Sequence, residues 1–200
     1  MKPNAVIIPS CGSNLASLQF ALERLGAEVP LTEDPARIRA ASHVILPGVG
    51  AAAPGMERLA AAGLIDVIPA LTQPVLGICL GMQLLFASSE EKQTRCLGVI
   101  DAEVRRFPAS PGHPVPQMGW NELAPVGESA LLADVPAGTY AYFVHSYAAP
   151  TGPYTRAVTT YGVPFSAIVE QRNFFGTQFH PERSSRAGAQ ILANFLKIDR

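Results

Sequence analysis

Three side chains in this chain could pass one proton and one acyl group among themselves. The first is Cys79, in Gly77-Ile78-Cys79-Leu80-Gly81. A cysteine with glycines two positions away on either side has the form of a nucleophile elbow, with sulfur in place of the usual serine oxygen. A nucleophile on a tight strand-to-helix turn strains its own backbone, so bulk is disfavoured at Gly77 and Gly81. A helix opening at Leu80 aims free N–H groups and a positive dipole end at the sulfur, which favours thiolate. The Leu80 N–H is also placed to donate to an oxyanion. The competing reading is structural, since a cysteine in an apolar run is often a core residue.

The second and third are His180 and Glu182, in Phe179-His180-Pro181-Glu182. Alternation along extended backbone puts these two side chains on one face. Pro181 biases His180 towards an extended conformation. Glu182 can then accept from one imidazole nitrogen and leave the other to take the Cys79 proton. A glycine-rich turn, Leu46-Pro47-Gly48-Val49-Gly50, could bring a backbone N–H to a reacting carbonyl oxygen. No Lys follows it in Walker fashion, so a phosphate loop is disfavoured. His145 is the rival base, but nothing acidic lies two residues beyond it. His43 and His113 read as structural or surface residues and Cys96 as core. Cys11 follows a strand and lacks an elbow. Trp120 reads as a half-buried core or interface aromatic. The His and Cys residues show no metal-ligand spacing, so no metal or cofactor is expected.

The elements that must position these residues alternate in the first half of the chain. Strands are predicted over 5–8, 27–31, 43–46 and 74–78. Helices are predicted over 14–25 and 55–62, with another starting over 80–86. Such alternation argues for a parallel sheet covered by helices, with the strands' carboxyl ends along one edge. Cys11, Gly48 and Cys79 all fall just past strand ends, so all three could share that edge. The second half reads as strands over 97–107, 117–123, 140–144, 154–161, 165–171 and 174–179. A tight hairpin is predicted at Arg172 and Asn173. The Pro-rich segment 109–116 reads as an exposed loop. A helix over 185–196 closes the chain. No internal repeat or linker interrupts it, so one domain spanning 1–200 is expected.

Composition limits the function classes. The 200 residues are 48% hydrophobic and 16% charged, enough for one substantial core. A formal net charge of −1 argues against a nucleic-acid footprint. The longest apolar stretch, 74–87, is too short to span a bilayer. The amino terminus lacks the apolar run of roughly 7–15 residues that a signal peptide needs. Three unpaired cysteines fit a reducing compartment, so a cytoplasmic protein is expected.

Taken together, PVLGICLGMQLLF, LPGVGA, MGWN, YFVHSY and QFHPERSS resemble class I glutamine amidotransferases. Their combination is similar to the branch that serves as glutaminase subunit of imidazole glycerol phosphate synthase, in histidine biosynthesis. The resemblance implies a flavodoxin-like α/β/α fold with a mostly parallel central sheet and antiparallel additions in the second half. It implies Cys79 as nucleophile, His180 as base and acid, and Glu182 as orienter. Oxyanion donors would be the N–H of Leu80 and one from Gly48, Val49 or Gly50. Gly50, Gln83, Glu91 and the backbone around His145, Ser146 and Tyr147 would hold L-glutamine.

The resemblance also implies a (β/α)8-barrel cyclase partner that receives the ammonia and makes imidazole glycerol phosphate and AICAR. Asn14, Trp120, Asn121, Tyr142 and Arg183 would meet that partner. One stretch departs from the family pattern. After the first strand, members commonly carry an Asp and a G-x-G-N turn, whereas this chain keeps Asn14 but has Pro9 at the Asp position. Two alternatives are an enzyme of the same fold acting on another acyl substrate and a non-catalytic binding subunit.

Overall fold

In the computed structural model, residues 4–9 and 15–199 are described. Twelve strands and five α-helices follow one another along these residues. The first half runs β1 (Ala5–Ile7), α1 (Leu15–Arg24), α2 (Pro35–Ala40), β2 (His43–Gly48), α3 (Ala52–Ala61), β3 (Val75–Cys79) and α4 (Leu80–Gln83). The second half runs β4 (Phe86–Ser89), β5 (Thr94–Arg95), β6 (Ile100–Arg106), β7 (Gln117–Pro125), β8 (Thr139–His145), β9 (Tyr147–Ala148), β10 (Thr155–Tyr161), β11 (Val163–Gln171), β12 (Phe174–Thr177) and α5 (Ser185–Phe195).

An eight-stranded sheet has the order β1-β2-β3-β12-β11-β10-β7-β8. Its first four strands pair in parallel and the remaining pairings are antiparallel. A smaller sheet has the order β5-β4-β6-β9. Alternation along the strands splits the core into two layers. Val6, Val44, Leu46 and Val75 pack with Ile38 of α2, Leu59 of α3 and Leu80 of α4. Ala5, Ile7, Ile45 and Leu76 pack on the opposite face with Leu18 and Leu22 of α1 and Ile191 and Phe195 of α5. Helices therefore cover both faces of the sheet, as the strand–helix alternation predicts.

Several predicted elements differ in detail. Segment 27–31 is not a strand of the sheet. Its contact with β1 is a single parallel bridge between Ile7 and Leu31. Pro30 accepts from the Ile7 N–H at 2.9 Å but has no N–H to extend a ladder. The helix predicted from Leu80 stops at Gln83, and Phe86 already belongs to β4. Every residue of α4 is buried, so no solvent-facing stripe exists to prolong it. The strand predicted over 97–107 starts at Ile100. Ahead of it, the N–H groups of Leu97, Gly98 and Val99 bond back to the carbonyls of Leu84, Phe86 and Leu85.

Helix α2 has no counterpart among the predicted elements. It opens on Asp34, whose side chain accepts from the Ala36 N–H at 2.8 Å, with Pro35 as its first residue. The hairpin at Arg172 and Asn173 is present, joining β11 to β12. No helix among the described residues is long and apolar enough to cross a membrane.

Candidate active site

The register of three strands builds the site. β2 and β3 pair in parallel with Gly48 opposite Cys79. β12 lies on the other side of β3, with Thr177 opposite Ile78. The carboxyl end of β3 therefore stands between the glycine turn after β2 and the segment leading from β12 to His180. Two predicted edge residues, Gly48 and Cys79, meet there. Cys11 lies outside the described residues.

Cys79 is the junction between β3 and α4 and has φ 54° and ψ −110°. This left-handed conformation is costly for a side-chain-bearing residue and persists only when its surroundings enforce it. Both flanking glycines are sterically required. A Cβ on Gly77 would lie 2.7 Å from the Gly81 carbonyl oxygen and from Met82 backbone. A Cβ on Gly81 would run into the Leu46 carbonyl. Leu80 is the first helical residue, so its N–H is one of the unpaired donors at a helix start.

His180 has φ −94° and ψ 100°, and Pro181–Arg183 then forms one 3-10 turn. His180 and Glu182 thus share a side through a turn, not through the strand face that spacing suggests. His180 Nδ1 and Glu182 Oε1 are 2.8 Å apart, with both side chains about nine-tenths buried. Burial alone pulls the His180 imidazolium below its usual range. Hydrogen bonds to Cys79 and Glu182, and the negative charge of both, outweigh it and push the pKa up to about 10. With Nδ1 held by Glu182, Nε2 is the nitrogen left for chemistry.

His145 has the opposite environment. Burial carries its pKa down to about 4, and His180 adds to the lowering against a backbone hydrogen bond. The burial keeps the ring neutral, with Nδ1 donating to the Tyr147 carbonyl at 2.8 Å and Nε2 buried without a partner. It is not a competing base.

A cavity of about 320 Å³ opens over Cys79 and His180. It is lined by Val49, Gly50, Leu80, Gln83, Glu91, His145, Ser146 and Tyr147, all singled out in the sequence, together with Pro116 and Val144, which were not. Several of these groups are already engaged. Gln83 Nε2 donates to the Tyr147 carbonyl at 2.8 Å and to Gln178 Oε1 at 3.0 Å. Only its oxygen remains to meet a ligand. Glu91 Oε2 accepts from the Ala52 N–H at 2.7 Å, where α3 begins. That bond explains why α3 starts three residues before the predicted 55. The Val144 carbonyl lies 3.8 Å from Cys79 Sγ. Sequence reasoning also missed Gln178. Its one sequence signal is a long polar side chain in the mostly apolar, buried run Phe174 to Phe179.

Of the residues expected at a partner surface, three form one cluster beside the site. The Arg183 guanidinium sits 4.5 Å from the Tyr142 ring centre, and Trp120 meets Tyr142 edge-on at 5.9 Å. Trp120 is 52% exposed, about half-buried as expected but too open for a core residue. The Tyr142 carbonyl accepts from the His180 N–H at 3.0 Å, which joins this surface to the site. Asn121 points to the other side of β7 and donates to the Thr160 carbonyl at 2.9 Å, so it stands apart. Asn14 lies outside the described residues.

His43 is buried and structural, with Nε2 3.0 Å from the Ile198 carbonyl oxygen, whereas His113 lies near the surface beside Ser110. Cys96 is buried, and burial pushes its thiol up to about 11. Among the described residues no cluster of His, Cys, Asp and Glu could hold a metal ion.

This architecture is shared. A solved protein described as a glutamine amidotransferase superposes with a TM-score of 0.73 at 18% identity, covering 97% of each chain. A glutamine amidotransferase from Thermotoga maritima gives 0.67 at 20% identity, covering 94% of this chain and 79% of the other. These establish the fold alone.

Sequence similarity is much higher to proteins named imidazole glycerol phosphate synthase subunit HisH. The protein from Shewanella loihica is 47% identical over 98% of this chain and 92% of its own length. That from Xanthomonas axonopodis pv. citri is 48% identical over 98% of both. That from Xylella fastidiosa is 50% identical over 96% of both. The family model "Glutamine amidotransferase class-I" matches residues 7–198. With the elbow, the His–Glu pair and the cavity in the fold of that family, the chain belongs to the class I glutamine amidotransferases.

Proposed function

We propose that this chain is the glutaminase subunit of an imidazole glycerol phosphate synthase, acting as one amidotransferase domain. It hydrolyses L-glutamine to L-glutamate and passes the ammonia to a partner. The observation that carries this reading is the adjacency of Cys79 and His180, fixed by the β3–β12 register and oriented by Glu182. The names and full-length similarity of the relatives supply the reaction and the pathway.

In this mechanism the Cys79 thiolate attacks the side-chain amide carbon of glutamine. The carbonyl oxygen becomes an oxyanion, held by the Leu80 N–H and one N–H from Gly48, Val49 or Gly50. A donor of this kind contributes ~10²–10³ in rate. Protonated His180 gives its proton to the departing nitrogen, and ammonia leaves. Neutral His180 then takes a proton from water, which adds to the thioester carbon. The C–S bond breaks, and glutamate leaves as sulfur regains its electron pair.

The cavity is of the size that small-ligand sites occupy. Gly50, the free oxygen of Gln83, Glu91 and the segment His145–Ser146–Tyr147 would hold the amino-acid end. The partner is a (β/α)8-barrel cyclase that turns the ammonia and its nucleotide substrate into imidazole glycerol phosphate and AICAR. It docks over Trp120, Tyr142 and Arg183, with Asn121 at the margin. The heterodimer works in the cytoplasm and needs neither cofactor nor metal.

The test is Cys79→Ala in the reconstituted pair. Glutamine-dependent turnover is expected to vanish while ammonium-dependent turnover by the partner persists. An alanine variant with normal glutamine-dependent turnover would refute the assignment.

A further inference from the structure

Behind the Cys79 sulfur stands a side chain that neither the triad nor the substrate pocket requires. Gln178 follows Thr177, the residue opposite Ile78, and so it lies beside Cys79 across the β3–β12 pair. It is fully buried. A buried primary amide is costly unless its polar atoms are paired. Its pairing also fixes which way it faces.

The Tyr147 carbonyl can only accept, so Gln83 presents Nε2 to it at 2.8 Å. The same nitrogen lies 3.0 Å from Gln178, which must therefore present its oxygen there. That leaves Gln178 Nε2 directed at Cys79 Sγ, 3.8 Å away. A flipped Gln178 would set two donors against each other and an oxygen against the sulfur.

We propose that Gln178 is a catalytic residue: its N–H stabilises the Cys79 thiolate, and its carbonyl ties the sulfur to the substrate-facing Gln83. This rests on Cys79 being the nucleophile. The groups around the sulfur show what Gln178 adds. His180, with Glu182 behind it, supplies a proton that leaves with ammonia. The end of β8 offers a carbonyl from Val144 and the neutral ring of His145. Leu80 opens α4, and Glu91 lines the cavity.

Of these side chains, only the Gln178 amide is a donor that does not titrate. It stays a donor in both half-reactions, whichever protonation state His180 holds. It therefore supports the sulfur before attack and again when the thioester C–S bond breaks and the electron pair returns to sulfur. Its link to Gln83 ties the position of the sulfur to the residue that meets the substrate.

The test is the pH dependence of Cys79 alkylation by iodoacetamide in the full chain, read site by site by mass spectrometry. In Gln178→Met the half-plateau pH is expected to rise by about one unit, the effect of losing a charge-assisted hydrogen bond. In Gln178→Glu, which keeps the shape and sets a carboxylate against the sulfur, it is expected to rise at least as far. The unsubstituted protein provides a reading independent of folding in the variants. The Gln178 side-chain amide protons should shift in NMR as Cys79 is alkylated. A pH profile unchanged in both variants, or amide resonances unmoved by alkylation, would overturn the role of Gln178. Failure of Cys79 to label selectively in the unsubstituted chain would instead count against its role as nucleophile.

Discussion

The Glu182 carboxylate does more than hold a ring in place. It fixes His180 by Nδ1 and raises the affinity of the imidazole for its proton, together with Cys79 and against the pull of burial. A folded-state pKa raised from 6.5 to about 10 has a defined consequence for stability. The contribution is fully present below the unfolded value of 6.5 and is lost as pH rises through about 10. Glu182→Gln keeps the shape and removes the charge. The His180 pKa should fall, so the contribution should be smaller and its loss should be complete at a lower pH, and the alkaline limb of glutaminase activity should move the same way. Thermal melts and kcat/KM measured across pH 6 to about 10 check both. Cys79, His180 and Glu182 are legible in the sequence because each role demands a particular residue type at a particular spacing. Gln178 is not, because its place beside the sulfur comes from the register of two strands far apart in sequence.

At the scale of elements, the site depends on how tightly α4 is set against β2 and β3. Gly81 has no room for a Cβ, since the Leu46 carbonyl occupies that space. Gly81→Ala is expected to push α4 away from β2, costing ~3 kcal/mol or more, as overpacking at backbone contacts does. Chemical denaturation would measure the loss. Glutaminase activity should fall further than stability, because the Leu80 N–H moves with the helix. The elements along the parallel edge are readable because continuous apolar runs such as Val75 to Ile78 belong to strands buried on both faces. The extent of α4 is not readable, because a helix buried on all sides carries no periodic stripe to mark its end. Segment 27–31 differs for another reason. Its residues suit a strand, and Pro30 limits it to one bridge.

For the whole molecule, the cluster of Trp120, Tyr142 and Arg183 projects from β7, β8 and the turn after His180, outside the helix-covered core. A large aromatic left 52% exposed beside a cation–π pair contributes little to folding and suits an interface anchor. Trp120→Ala is therefore expected to leave the melting temperature within a degree or two. Affinity for the proposed cyclase partner should fall by ~30-fold, the loss of an aromatic hot spot worth ~2 kcal/mol. Calorimetric titration with the partner would show a purely structural tryptophan instead as a lowered melting point with unchanged affinity. The aromatic cluster, the cavity and the sheet edge all converge on the sulfur of Cys79. The most direct measurement is therefore covalent labelling of the native chain with an electrophilic glutamine analogue, followed by peptide mapping. Modification of Cys79 alone, blocked by excess glutamine, is the predicted result. Labelling of Cys11 or Cys96 in its place, or labelling that glutamine does not block, would contradict this account.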